Sequence, residues 1–138
     1  MSDITVTAAD VRPLAGAMVL RFEAGAALDV GAVVYVDSDG NVQETDGDAI
    51  ETTLPCVGIV VAALDGDDDA ADGEKVDVVV RGPVAGFSSM TPGALGYVSD
   101  GAGLLATTVV DNGFIVGYAE SASVFYVRPE TIHLTEQG

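Results

Sequence analysis

The chain contains no tryptophan, one histidine, one cysteine and only 5 basic residues, a single one of them lysine, and each scarcity removes a class of function. A zinc site within one subunit needs three or four Cys or His ligands, and Cys56 and His133 are the whole supply. A lone cysteine makes no internal disulfide, so packing or oligomerisation has to hold the fold together. The bases Arg12, Arg21, Lys75, Arg81 and Arg128 include no sequence neighbours, whereas phosphate contact needs clustered Lys or Arg. Nucleic acid and anionic membrane are therefore not expected partners. No run of about 18 apolar residues is present to span a membrane, and Met1-Ser2-Asp3 lacks the basic and apolar regions of a secretory signal, so export by that route is not expected. Aromatics make up only 6% of the chain against 49% hydrophobic residues, so the core must be built from Val, Ala, Leu and Ile, small and branched pieces.

What the chain has in excess is acid. Asp and Glu number 22 and the formal net charge is −17. Acidic tails are often disordered, but here mean hydropathy is positive and the carboxylates are interspersed among apolar segments, which points to a folded domain. Fifteen of the acids are Asp, beside one Lys. That pairing resembles proteins of salt-loving archaea, whose short carboxylates stay hydrated when molar salt shrinks the Debye length to about 3 Å. Loss of stability or association in dilute buffer is the expectation; an ordinary acidic protein is the alternative.

At 138 residues the chain should form one domain. The only tolerable helix formers, Ala8 to Leu20, are interrupted by Pro13 and Gly16, leaving at most a short turn. Strand-like segments recur throughout: Ile4 to Thr7, Met18 to Phe22, Ala32 to Val36, Val57 to Leu64, Lys75 to Arg81, Ala94 to Ser99, Leu104 to Val109, Gly113 to Ala119 and Val124 to Arg128. Turn clusters such as Asp37-Ser38-Asp39-Gly40-Asn41 and Asp111-Asn112-Gly113 separate them. The fold expected is all-β, a compact barrel or sandwich of short antiparallel strands with little or no helix. An internal echo accompanies this pattern. Gly31-Ala32-Val33-Val34-Tyr35-Val36 aligns with Gly93-Ala94-Leu95-Gly96-Tyr97-Val98, Val57-Gly58-Ile59-Val60 with Val116-Gly117-Tyr118-Ala119, and Val78-Val79-Val80-Arg81 with Phe125-Tyr126-Val127-Arg128. Residues 1–13 are then an arm or edge strand, and 14–138 one β domain with repeat halves at about 18–82 and 83–130 related by a pseudo-two-fold axis. The first half alone carries the acidic stretch Asp65 to Glu74, expected as a solvated loop.

Candidate chemistry is sparse. Nucleophilic hydrolysis needs a base beside Ser or Cys, but His133 sits near the C-terminus and Cys56 lies in an apolar strand, where a thiol behaves as a small hydrophobe. Asp37, Asp39 and Asn41, with Asp48, occupy the first, third, fifth and twelfth places of an EF-hand-like loop, yet Val42 stands where the sharp turn requires Gly. A hairpin tip closed by local Asx bonds explains the same residues. Neither Walker nor dinucleotide spacing occurs, and no carboxylate pair is marked out for glycoside chemistry. No enzyme, metal or cofactor is expected.

The order Gly31-Ala-Val-Val-Tyr-Val36, an Asp-Gly turn, Val57-Gly-Ile-Val-Val-Ala-Ala63, an acidic linker and Gly73-Glu-Lys-Val-Asp-Val-Val-Val-Arg-Gly82 resembles the capsid decoration, or cement, proteins of tailed viruses. Met90-Thr-Pro-Gly93 through Gly117 is similar to the central part of the lambdoid decoration protein. The resemblance covers about Leu28 to Arg128. It implies a structural virion protein, made in the host cytoplasm, that decorates the outer capsid surface as a homotrimer at three-fold or quasi-three-fold sites, with the major capsid protein as partner. It also implies an N-terminal arm, matched here by Ile4-Thr5-Val6-Thr7, that adds to a sheet of the shell. Trimer anchors would be sought among Phe87, Phe114, Phe125 and Tyr126, for which burial in the chain's own core is the competing explanation. Other virion β modules, such as a turret, fibre base or tail accessory, and a cation-dependent acidic binding domain are the alternatives.

Overall fold

A computed structural model describes residues 3–45, 56–99, 102–108 and 114–129. The strands are β1 (Thr5–Val6), β2 (Arg12–Pro13), β3 (Met18–Glu23), β4 (Leu28–Asp29), β5 (Val33–Val36), β6 (Val42–Glu44), β7 (Gly58–Ala63), β8 (Asp69–Ala70), β9 (Lys75–Ala85), β10 (Phe87–Ser88), β11 (Leu95–Val98), β12 (Leu105–Ala106), β13 (Ile115–Ala119) and β14 (Val124–Val127). The one helical element among the described residues is a 3-10 turn at Ala8–Asp10, inside the stretch that Pro13 and Gly16 keep from extending. The protein is all-β, as its Val-rich runs and Gly-punctuated turns require.

Ten strands form one curled antiparallel sheet in the order β12-β11-β13-β14-β9-β7-β5-β6, with β2 and β3 also pairing with β9. The 11-residue β9 is its spine. Its first half pairs with β7 and β3, its second half with β14 and β2. Two small pairs complete the fold, β1 with β10 and β4 with β8.

The echo in the sequence has a counterpart in the pairing. In the first half the row Val33, Ile59, Val79, Val19 runs directly across β5, β7, β9 and β3. In the second half the aligned residues Leu95, Tyr118, Tyr126 and Pro83 run across β11, β13, β14 and the end of β9. Val34 faces Gly58 as Gly96 faces Gly117. Gly58 and Gly117 are glycine for the same reason: a Cβ on either would fall 2.0 Å from a main-chain oxygen, that of Val79 or of its counterpart Tyr126. Gly31 and Gly93, which open the two hairpins, both hold positive φ, 99° and 88°. No gap separates the halves, because β9 runs unbroken through residues 82 and 83, ending one unit and opening the next.

The core is Val-rich, with Val33, Val34, Val42, Val60, Val78, Val79, Val84 and Val98 wholly buried. Phe125 is the largest fully buried side chain, and its ring is tilted against that of Phe87, 5.9 Å between ring centres and 56° between planes.

Candidate functional site

Several residues singled out in the sequence turn out to serve the fold. Phe87, Phe114 and Phe125 are buried within the chain's own core, so they do not present themselves to a second copy. Tyr126 differs: it is half-exposed and stacks on Tyr118 at 5.3 Å. The N-terminal segment is also engaged internally. Thr5 and Val6 pair with Ser88 and Phe87, Ile4 is buried and its N–H donates to the Leu105 carbonyl at 2.8 Å, and the Ser99 hydroxyl donates to Asp3 Oδ1 at 2.5 Å. Ile4, Thr5, Val6 and Thr7 are thus bound within this chain, β1 in its two-stranded pair with β10 and the Thr7 N–H donating to the Gly86 carbonyl.

Asp37 closes its own turn. Its carboxylate accepts the N–H groups of Asp39 and Asn41 at 2.9 and 3.0 Å and the Gln43 amide at 2.7 Å. The Gln43 amide, followed by those backbone donors, holds the Asp37 carboxyl below the usual carboxylate range, although partial desolvation acts in the other direction. With its lone pairs committed inward, Asp37 acts as an Asx cap. Asp48 and His133 lie outside the described residues. Among the described residues no group of three His, Cys, Asp or Glu side chains is placed to hold a metal ion. Burial pushes the Cys56 thiol up to about 12, which keeps it protonated and unreactive.

The acidic stretch is only partly the solvated loop that its composition predicts. Asp69 and Ala70 pair with Asp29 and Leu28, Ala70 is buried, and the Glu74 carboxylate accepts the N–H groups of Asp65 and Ala71. Burial of one small apolar residue and a carboxylate turned back on the backbone tie this loop to the body. Crowding by Asp65, and less by Asp69 and Glu74, raises the Asp67 pKa. Surface clefts of about 160, 110 and 270 Å³ fall short of the ~300 Å³ at which small-molecule pockets begin.

The feature most able to engage another molecule is β3. Met18, Val19 and Leu20 are 56%, 40% and 47% exposed. Side chains alternate between the two faces of a strand, so exposed apolar groups project from both sides of the sheet. β3 pairs with β9 on one side, and no strand pairs with its other side among the described residues. The Ala24 N–H donates to the Glu74 carbonyl, and on the far side of β9 the Leu64 N–H donates to the Lys75 carbonyl. That phase turns the main-chain groups of Leu20 and Phe22 towards β9 and leaves those of Val19 and Arg21 on the open edge, whereas the chain just past Glu23 is met on that side by β6, Ala24 bridging Val42 and the Gly25 N–H donating to the Val42 carbonyl. An open edge with three consecutive exposed apolar residues is a template for strand addition. The Met18–Phe22 strand was legible in the sequence; that it lies at an edge was not, because edge position depends on pairing with a segment some 55 residues away.

A second, smaller surface is the row Leu95, Tyr118 and Tyr126, with Leu95 41% exposed and both tyrosines half-buried. No protein-family model matches the chain, and no curated protein matches it in sequence.

Proposed function

We propose that this chain is a structural virion protein that decorates and stabilises the outer surface of a capsid, assembling as a homotrimer at three-fold or quasi-three-fold sites of a tailed virus of a halophilic archaeon. The observation that carries the reading is the open apolar edge of β3 on a body whose remaining surface is dominated by carboxylates. Such a module works by adhesion: many weak contacts repeated around a closed shell gain from avidity. The decoration-protein resemblance of Leu28 to Arg128 and the Asp-rich, Lys-poor composition supply the shell and the saline setting. The engaged N-terminal segment shifts the expected point of attachment from an extruded arm to the body of the domain.

Native mass spectrometry in molar salt, with and without the purified major shell protein, tests the reading. Three copies per particle and uptake onto the shell are expected. A monomer indifferent to the shell overturns it, and five-fold or six-fold stoichiometry assigns the chain to a turret, fibre base or tail accessory instead.

A further inference from the structure

Four of the five bases, scattered in sequence, are strung along β9 and the two strands that pair with one side of it. Arg12 lies on β2, Arg21 on β3, and Lys75 and Arg81 on β9, and both shorter strands pair with β9. Arg21 engages Asp77 at 2.9 Å and Lys75 engages Glu23 at 3.4 Å. Arg12 donates to the Asp10 carbonyl, and Arg81, exposed and directly opposite Met18, has no salt-bridge partner among the described residues. In a molecule of net charge −17 this strip is where negative charge is locally offset, and it borders the apolar edge.

The repeat supplies an internal precedent for what the edge accepts. Relative to its unit, β3 occupies the place that the second half of β9 occupies in the other: each pairs with the last strand of its unit, β3 with β9 and the end of β9 with β14. The end of β9 is covered on its other side by β2, with Arg12 opposite Ala85 and Pro13 opposite Val84. The equivalent side of β3 has no such cover from Met18 to Arg21 among the described residues; cover begins only past the strand's end, where Ala24 bridges Val42.

We propose that a second copy of this chain docks on the open edge of β3, adding backbone to Val19 and Arg21, covering Met18 and Leu20 on one face and Val19 on the other, and placing its own carboxylates against Arg81 and Arg12. A partner lying flat on the sheet would cover one face alone; a strand added at the edge covers both. The contact is head to tail, because the strip's own carboxylates Asp77 and Glu23 already engage Arg21 and Lys75, whereas a different patch of a −17 surface offers Arg81 the opposite charge. This inference rests on the proposed assembly role and names the surface through which copies join.

The test compares wild type with Leu20→Asp and Arg81→Glu by native mass spectrometry and sedimentation over a salt series, with hydrogen exchange read at Val19 and Arg21. Both substituted side chains are exposed, and unfolding curves confirm that the variants fold. Self-association should weaken at least about tenfold in each variant, more at low salt than at high salt for Arg81→Glu, and the Val19 and Arg21 amides should be protected only in the oligomer. Unchanged oligomers in both variants overturn the proposal. So does a monomeric wild type, and its behaviour with purified shell protein then separates two cases: binding to the shell leaves the virion role standing and assigns the edge to the shell, while no binding removes both.

Discussion

In the first half of the molecule Val33, Ile59 and Val79 form a row that is wholly buried, while in the second half the residues in the same register, Leu95, Tyr118 and Tyr126, stand partly in water. The backbones of these rows pair in the same order, down to the two glycines that each lie against a main-chain oxygen. Their side chains are not. Small β-branched residues fill a space closed on both faces, whereas tyrosine brings an apolar ring with a hydroxyl that tolerates solvent. The two first strands diverge in the opposite sense: Pro83 is buried, and its counterpart Val19 is exposed. A repeated backbone therefore does not make repeated surfaces, and each half exposes what the other conceals.

Substituting the paired glycines is the severest challenge to this equivalence. Gly58→Ala and Gly117→Ala should each destabilise by more than about 4 kcal/mol, because the neighbouring carbonyl belongs to a paired strand and cannot withdraw; urea unfolding or loss of soluble yield reads this, and one variant tolerated without effect would break the correspondence of the halves. The two rows should then separate. Ile59→Ala is expected to lower stability by about 2–5 kcal/mol and Tyr118→Ala by about 1 kcal/mol, chiefly the lost ring stack, and equal losses would mean that the burial difference has no energetic weight.

The hairpin turns allow a finer comparison. Asp37 begins the first turn and closes it locally, while its counterpart Ser99 is buried and binds Asp3 from the N-terminal strand. Ser99→Ala should cost about 1.5 kcal/mol and speed hydrogen exchange at the Ile4 amide, whereas Asp37→Ala should speed exchange at Asp39 and Asn41 and leave Ile4 unchanged. The smallest effect concerns pH. Asp37 has a lowered pKa, so its stabilising contribution is present at neutral pH and is lost as pH falls through the folded value, below the usual carboxylate range near pH 4. Asp67 has a raised pKa, so its protonated form is favoured by folding, and that contribution disappears as pH rises through the folded value. Carboxyl carbon shifts in an NMR titration should show Asp37 titrating well below Asp67; the reverse order would contradict both environments.

The strands read from the chain correspond closely to those observed, including β3, β5, β7 and β13, because period-two and Val-rich patterns are local and long enough to register. Five short strands, β2, β4, β6, β8 and β10, left no such trace. Each spans two or three residues; β6 returns across the Asp37 hairpin onto β5, and the other four exist because a distant partner is held beside them, as Leu28 and Asp29 hold the acidic stretch at Ala70 and Asp69. The Phe residues were conspicuous as rare aromatics, but rarity says nothing about which face a ring occupies, and Phe125 went to the centre.

The amino-acid order alone determined the all-β class, the carboxylate-rich surface, the positions of the turns and the repeat, since these follow from backbone preference, charge and spacing within a few residues. Which strand ended at an open edge, which rings were sealed in, and how Arg12, Arg21, Lys75 and Arg81 came to lie along β9 and its partners on one side were decided by tertiary structure. The physical reason is that β9, by pairing along its full length with segments from both ends of the chain, converts separations of tens of residues into neighbouring strands a few ångströms apart.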